Sequence, residues 1–295
     1  MYHQDFKQAG QIAKQALQYG ASLVKPGASY TEVLTQIVAK IKELGAQPAF
    51  PPQMAMNQTA AHFMPFLGDD VVFNDELIKL DVGVSYKGAI GDNATTIDLS
   101  GAYTDLVKAS RQAVESTVEM MDIGVSLHEV GKHIQEVIES YEEFTPIKNL
   151  SGHGLGPFQI HTKPSIPNYG NGDTTTIKPG MTFACEPFAT TGKGMIHDAG
   201  NAAIYRFLQR KPQRLPEARV LQEVFEKTSG LPFCLQQLDI PKMPLFKLKV
   251  AMRSLQQSGA LESYGALVES SGGMVSQAEH SILFDDEGKK WVTTR

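Results

Sequence analysis

Asp81, Asp92, His153, Glu186 and Glu279 follow one another along the chain, each in a short apolar, Gly-bounded or His-flanked context. These residue types hold divalent cations. Four carboxylates gathered in one small volume resist ionising together unless cations lie between them. Two divalent ions roughly 3.5 to 4 Å apart, bridged by some of these carboxylates, would cancel the charge and hold a hydroxide for attack on a carbonyl. The set therefore predicts a dinuclear metal site and metal-assisted hydrolysis. A single Asp or Glu is ordinarily a solvated surface group, so the weight lies in position. Asp81 follows Leu-Ile-Lys-Leu, Glu186 follows Phe-Ala-Cys, and Glu279 precedes His-Ser-Ile-Leu-Phe. Acids embedded in strands are paired or ligating. His153 lies in Ser-Gly-His-Gly-Leu-Gly, where small neighbours let a ligand approach; a structural turn histidine is the alternative. His161 and His62 read as neutral donors around a substrate, with a core histidine bonded to backbone as the plainer reading. His3, His128 and His133 read as solvated, and His280 as pointing away from Glu279 across the strand.

Strands and turns must bring these residues together. Residues 81–92 alternate as paired strands about a Lys87-Gly88 turn, which sets Asp81 and Asp92 on one face, and are followed by Asn93-Ala-Thr-Thr-Ile-Asp-Leu99. Helical spacing over 4–20 and 29–44 is closed by Gly45, and Ser29 with Glu32 predicts a capping box. The segment Gly27-Ala-Ser-Tyr-Thr-Glu-Val33 is echoed by Gly124-Val-Ser-Leu-His-Glu-Val130, again between helical segments, here 103–121 and 126–141. Each copy continues into a histidine shortly before Pro-Phe (His62, His153) and then a strand ending in an acid (Asp81, Glu186). Helix, helix, histidine loop and acidic strand occur twice. We read a duplicated α+β unit with pseudo-twofold symmetry around a shared site. Residues 216–263 read as an insert with helices near Glu217–Lys227 and Leu245–Ser258, and a wing-like hairpin is expected around 263–275.

The bulk composition bounds the rest. A chain of 295 residues, 42% hydrophobic and 20% charged, buries a sizeable core. Lys plus Arg number 27 against 32 Asp plus Glu, a net charge of -5, which gives no basic field for nucleic acid. Two cysteines, Cys185 and Cys234, make no disulfide framework and suit a reducing compartment. No stretch has the length and apolarity of a membrane span, and no leader-like segment opens the sequence, so a cytoplasmic protein is expected.

Asp81, Asp92 with Asn-Ala-Thr-Thr, Asn149-Leu-Ser-Gly-His153, His161, Ile166-Pro-Asn168, Glu186-Pro-Phe-Ala-Thr, Gly192-Lys-Gly194 and Gln277-Ala-Glu279-His together resemble the motifs of the type II methionine aminopeptidases. The resemblance spans nearly the whole chain, with Pro48-Ala-Phe50-Pro and Leu231-Pro-Phe233 included. It implies the α+β pita-bread fold, with a catalytic domain over 1–194 and 264–295 and a helical, winged-helix-like insert over 195–263. The charged N-terminal extension of the eukaryotic enzymes is not seen, so the compact archaeal form is expected. It also implies removal of the initiator methionine from nascent polypeptides when the second residue is small.

Carried onto this sequence, the family pattern makes Asp81 a ligand of one divalent ion, His153 and Glu186 ligands of the other, and Asp92 and Glu279 bridges. The ions would be Co, Mn, Fe or Zn, and a bridging hydroxide would attack the scissile carbonyl. Glu186 would serve as base, His161 would polarise the carbonyl, and His62 would contact the scissile nitrogen. Phe50, Ile160, Phe188 and Tyr264, with the two histidines, would bind the substrate. A monomer is expected, with nascent N-termini as partners, a ribosome contact left open, and neither nucleic acid nor membrane. Two positions depart from the family: Ala278 stands where Phe is usual, and Gly265 follows Tyr264 where Pro is common. A proline-specific peptidase of the same fold uses the same ligands, and a non-catalytic binding protein of that fold would be expected to have lost some of them. An adaptor that holds a partner through the insert is the reading from another class.

Overall fold

A computed structural model describes residues 2–200 and 202–295. The chain opens with α1 (Tyr2–Leu23) and α2 (Tyr30–Glu43). In α1 the buried residues Phe6, Ala9, Ile12, Ala13 and Ala16 recur at steps of three or one and form one stripe. Ser29 caps α2, its Oγ accepting the Glu32 N–H at 3.2 Å. The expected reciprocal bond, from the Ser29 N–H to the Glu32 carboxylate, is not made; instead Asp70 reaches in from a distant loop and accepts from Ser29 Oγ at 2.5 Å and from the Thr31 N–H at 3.1 Å. At the second copy, Ser126 and Glu129 form the full box.

Three short strands follow, β1 (Gln47–Pro48), β2 (Gln53–Met56) and β3 (Thr59–Ala61), then the long hairpin β4 (Leu77–Tyr86) and β5 (Ala89–Asp98). Both turn residues of that hairpin are left-handed, Lys87 at φ 51° and Gly88 at φ 91°, as a type I′ turn requires. β4 pairs antiparallel with β1, β2 and β5. Helices α1 and α2 pack on this sheet through Ile12, Ala16, Leu34, Ile37, Leu80 and Val82.

The second half repeats the plan with α3 (Thr104–Met120) and α4 (Leu127–Glu139), then β6 (Thr145–Pro146), β7 (Gly152–Gly156), β8 (Gln159–Ile166), β9 (Thr182–Cys185) and β10 (Phe188–Thr190). After β10 come β11 (Ile196–Asp198), β12 (Ile204–Phe207), α5 (Pro216–Phe225), α6 (Leu245–Gln257) and β13 (Leu261–Tyr264). The chain then adds β14 (Leu267–Glu269), β15 (Val275–Gln277), β16 (His280–Phe284) and β17 (Lys290–Val292). The larger sheet runs β17-β16-β9-β7-β8, and its helix-facing side joins α3 and α4 in a second core that includes Val114, Ile134, Phe183 and Ile282. A third core, built on Leu221, Phe225, Leu248 and Leu255, belongs to α5, α6 and the β12–β13 ribbon.

The expected wing hairpin at 263–275 does not form. β13 pairs with β12, β14 with β11 and β3, and β15 with β10, so all three strands of that stretch bond to distant partners. No helix among the described residues is long and apolar enough to cross a membrane.

The two halves are stitched at the strands that carry acids. Ser281 Oγ donates to the Asp92 carbonyl at 2.8 Å and accepts the Asp92 N–H at 2.7 Å. Thr96 Oγ1 makes the equivalent pair with Gln277, at 2.7 and 2.8 Å, and Ala94 bridges Glu279. Helix α1 lies directly on β5: a Cβ on Gly91 would stand 2.5 Å from the carbonyl carbon of Ala9. Backbone on backbone leaves no flexible atom to yield. Gly91→Ala is therefore expected to lower stability by about 1 to 3 kcal/mol, measured by urea denaturation; an unchanged midpoint would show that α1 is free to shift.

Candidate metal centre

In the β4–β5 register Asp81 faces Ala94 and Gly83 faces Asp92, which sets the two carboxylates diagonally on one face. Glu186 follows β9 and Glu279 precedes β16, so the second half supplies the remaining acids from its own paired strands. All four, with His153 of β7, line a cavity of about 400 Å³. Asp92, His153 and Glu279 form the tightest trio, with ligand atoms all within 4.8 Å of one another. Asp81 and Glu186 flank it, and Glu186 Oε1 stands 3.5 Å from His153 Nε2.

Electrostatics set the character of the site. Burial, followed by the charges of neighbouring carboxylates, pushes the Asp92, Glu186 and Glu279 carboxyls well above the usual range. Burial alone takes Asp81 up to about 7 against a bond from Gln277. His153 moves the other way, down to about 3, chiefly through desolvation and then His161. It is thus a neutral imidazole with a lone pair to give. Asp81 Oδ1 and Asp92 Oδ1 are buried without a hydrogen-bond partner. Buried acceptors, mutually repelling acids and a neutral histidine form a donor set that fits divalent cations.

The other predicted residues surround this cluster. Phe50, His62, Ile160, His161, Phe188 and Tyr264 all line the same cavity. The His161 ring lies perpendicular to His153 at 4.4 Å between centroids. His62 sits at φ 60°, with its ring 5.6 Å from Tyr264, and burial lowers its imidazole to about 4. His161 is lowered by the same cause, so both are neutral donor-acceptor groups. His280 points away and bonds Thr294 and Glu115. His3, His128 and His133 are half-buried rather than solvated, each with a partner: Asp286, the Gly172 N–H and Ser116. His197 is exposed on β11.

Several residues at the site were given no role in the sequence analysis. Gln53 lies opposite Asp81 and accepts the His62 N–H at 2.6 Å, fixing the left-handed turn that presents the ring. Gln277 donates to Glu186 Oε2 at 3.2 Å; its place two residues before Glu279 on an alternating strand is the pattern that reveals it. Ile204 and Pro232 complete the wall. The departures have local reasons. Ala278 faces the α3–α4 core rather than the cavity. A Cβ on Gly265 would collide with the Asp198 carboxylate.

Fold and site together define a metallohydrolase. The sequence model of metallopeptidase family M24 matches residues 4–207, and the chain belongs to that family. It is 42% identical over 290 residues to the methionine aminopeptidase of Archaeoglobus fulgidus, covering 98% of this chain and 97% of that protein. The methionine aminopeptidase of Thermococcus onnurineus is 39% identical, with 97% of each chain covered. A solved methionine aminopeptidase from Thermotoga maritima superposes with a TM-score of 0.69 at 23% identity, covering 99% of this chain and 96% of that one, a likeness of fold.

Raised carboxyls imply a definite pH dependence. With no cation bound, Asp81, Asp92, Glu186 and Glu279 ionise more readily in the unfolded chain than in the fold. Stability is therefore lost as pH rises above about 4 and continues to fall through about 7. Divalent cations remove that penalty, so the gain in Tm on adding Mn or Co to metal-depleted protein should be larger near about pH 8 than near about pH 5. A gain independent of pH would show that these acids are not the ligands.

Proposed function

We propose that this chain is a divalent-metal-dependent methionine aminopeptidase, removing the N-terminal methionine from nascent proteins whose second residue is small. One observation carries the reading: the acid-histidine cluster lines the same cavity as the apolar groups Phe50, Ile160, Phe188 and Tyr264. An unbranched thioether fills such an apolar pocket at low strain. Full-length identity of 42% to a methionine aminopeptidase supports the same conclusion.

In this reading Asp81 would hold one ion, His153 and Glu186 the other, and Asp92 and Glu279 both. When bound, two divalent ions supply Lewis acidity and make a water acidic enough to act as a nucleophile near neutral pH. Glu186 accepts that water's proton on a carboxylate oxygen and passes it to the leaving amine. Gln277 steadies the carboxylate through Oε2. His161, neutral, donates a hydrogen bond to the scissile carbonyl oxygen, and His62 contacts the scissile nitrogen. The Gln53 clamp fixes the direction of the His62 ring.

Residues 1–194 and 264–295 would form the catalytic body, with 195–263 as insert; the separate core around Leu221, Phe225 and Leu255 supports that division. The chain would act as a cytoplasmic monomer on emerging N-termini, with a ribosome contact open to it. Free, buried Cys185 and Cys234 suit a reducing compartment, and the net charge of -5 opposes nucleic-acid binding.

Two measurements check the reading. Met-Ala and Met-Gly peptides should be cleaved by metal-loaded protein and not after chelation, Met-Lys peptides should resist, and Xaa-Pro peptides should be poor substrates. Faster turnover of Xaa-Pro would move the chain to the proline-specific branch. Glu186→Gln should lower kcat by on the order of 10² to 10⁴ while circular dichroism stays unchanged; a near-normal rate would remove Glu186 from the proton path.

A further inference from the structure

The metal cavity continues outward. A second chamber of about 290 Å³ adjoins it, and the two share Ile160, His161, Pro232 and Tyr264. Arg206 is the one permanently charged side chain among the described residues of the outer wall. The β12–β13 ribbon sets its position: Ile204 faces Tyr264, and Arg206 faces Glu262. Residues two apart share a strand face. The ribbon thus shows an apolar pair to the inner cavity and, one pleat of about 6.6 Å further out, a charged pair.

The two charges are not equivalent. Arg206 lines the outer chamber, whereas Glu262 lines neither space. Arg206 Nε donates to the Gly230 carbonyl at 2.9 Å, which orients the guanidinium. The Glu262 carboxylate is engaged by the Tyr264 hydroxyl at 2.8 Å and stands 3.8 Å from Arg206 Nη1, beyond hydrogen-bond distance. With side-chain exposures of 41% and 44%, the pair is weakly coupled. The Arg206 side chain also stands near enough to the Tyr264 hydroxyl to act on it, and with five N–H donors in its fork it keeps capacity for a further acceptor in the outer chamber.

We propose that the outer chamber binds the third residue of the peptide substrate and that Arg206 selects an acidic side chain there. The inference rests on the aminopeptidase reading, which places the first side chain beside Tyr264, the residue that faces Ile204 across the ribbon. In an extended peptide, side chains one and three lie on the same side, about 6.6 Å apart. That step matches the step from Ile204 to Arg206 along β12. A carboxylate at position three meets the guanidinium as a forked, charge-assisted partner.

The test uses metal-loaded full chain and peptides Met-Ala-Glu, Met-Ala-Gln and Met-Ala-Lys on one common tail. At low salt kcat/KM should favour Glu over Gln by about three- to tenfold, through KM, with Lys lowest. The preference should shrink as salt rises. Arg206→Gln should bring the Glu to Gln ratio to about one, with the Gln peptide itself reporting that the variant is folded, and Glu262→Gln should keep or widen the ratio. Moving the acid to position five should abolish the preference. An unchanged ratio in Arg206→Gln, or a preference that follows the acid to position five, overturns the proposal. Failure of wild-type protein to cleave any Met-Ala peptide overturns the aminopeptidase reading itself, and this site with it.

Discussion

Asp81, Asp92, Glu186 and Glu279 repel one another wherever this chain folds as described, because burial and the charges of neighbouring carboxylates act in the same direction. Such a cluster persists only if its backbone is held by something stronger than the repulsion. The hydroxyl pairs Ser281–Asp92 and Thr96–Gln277 do this at the backbone beside the acids. The sheets on either side, each backed by two helices, supply the stiffness. The strain built into the site favours a divalent cation, and the duplicated fold is the frame that resists it.

How much of this could be read from residues alone depends on how local the cause is. The Asp81–Asp92 hairpin was legible because its Lys87-Gly88 turn and strand alternation lie within twenty-odd residues. Convergence of Glu186 and Glu279 had no local signal; only the echo between halves, and then the family resemblance, pointed to it. Where a distant strand or loop decides the outcome, the reading failed. Asp70 took the place of Glu32 at the α2 cap. The stretch after 263 was given a hairpin of its own, whereas its strands join β12, β11 and β10. Gln53 escaped notice for the same reason, since its role exists only once β2 lies beside β4.

The stretch from β12 to β13 takes part in this arrangement. The β12–β13 ribbon contributes Ile204 and Tyr264 to the cavity, and Leu231-Pro-Phe233 returns from between α5 and α6 to place Pro232 there. The bridge between Tyr205 and Phe233 fixes that return to the ribbon. Ile204 and Tyr264 themselves pack in the core that backs Leu80 and Val82, while their neighbours Tyr205, Phe207 and Phe233 pack against α5 and α6, so this stretch of cavity wall rests on both cores.

The stitch between β5 and the strands after 275 also orders events in time. Asp92 is synthesised long before Ser281, yet its backbone N–H and carbonyl find their partner only there, at a separation of 189 residues. Contacts of that span form late, after closure of a long loop. Until they form, the first half can hold its helices and hairpin, but half the acids and the histidine lack their position. The complete charge cluster thus needs both halves, so a half-made chain holds Asp81 and Asp92 on their hairpin without the rest of the ligand set.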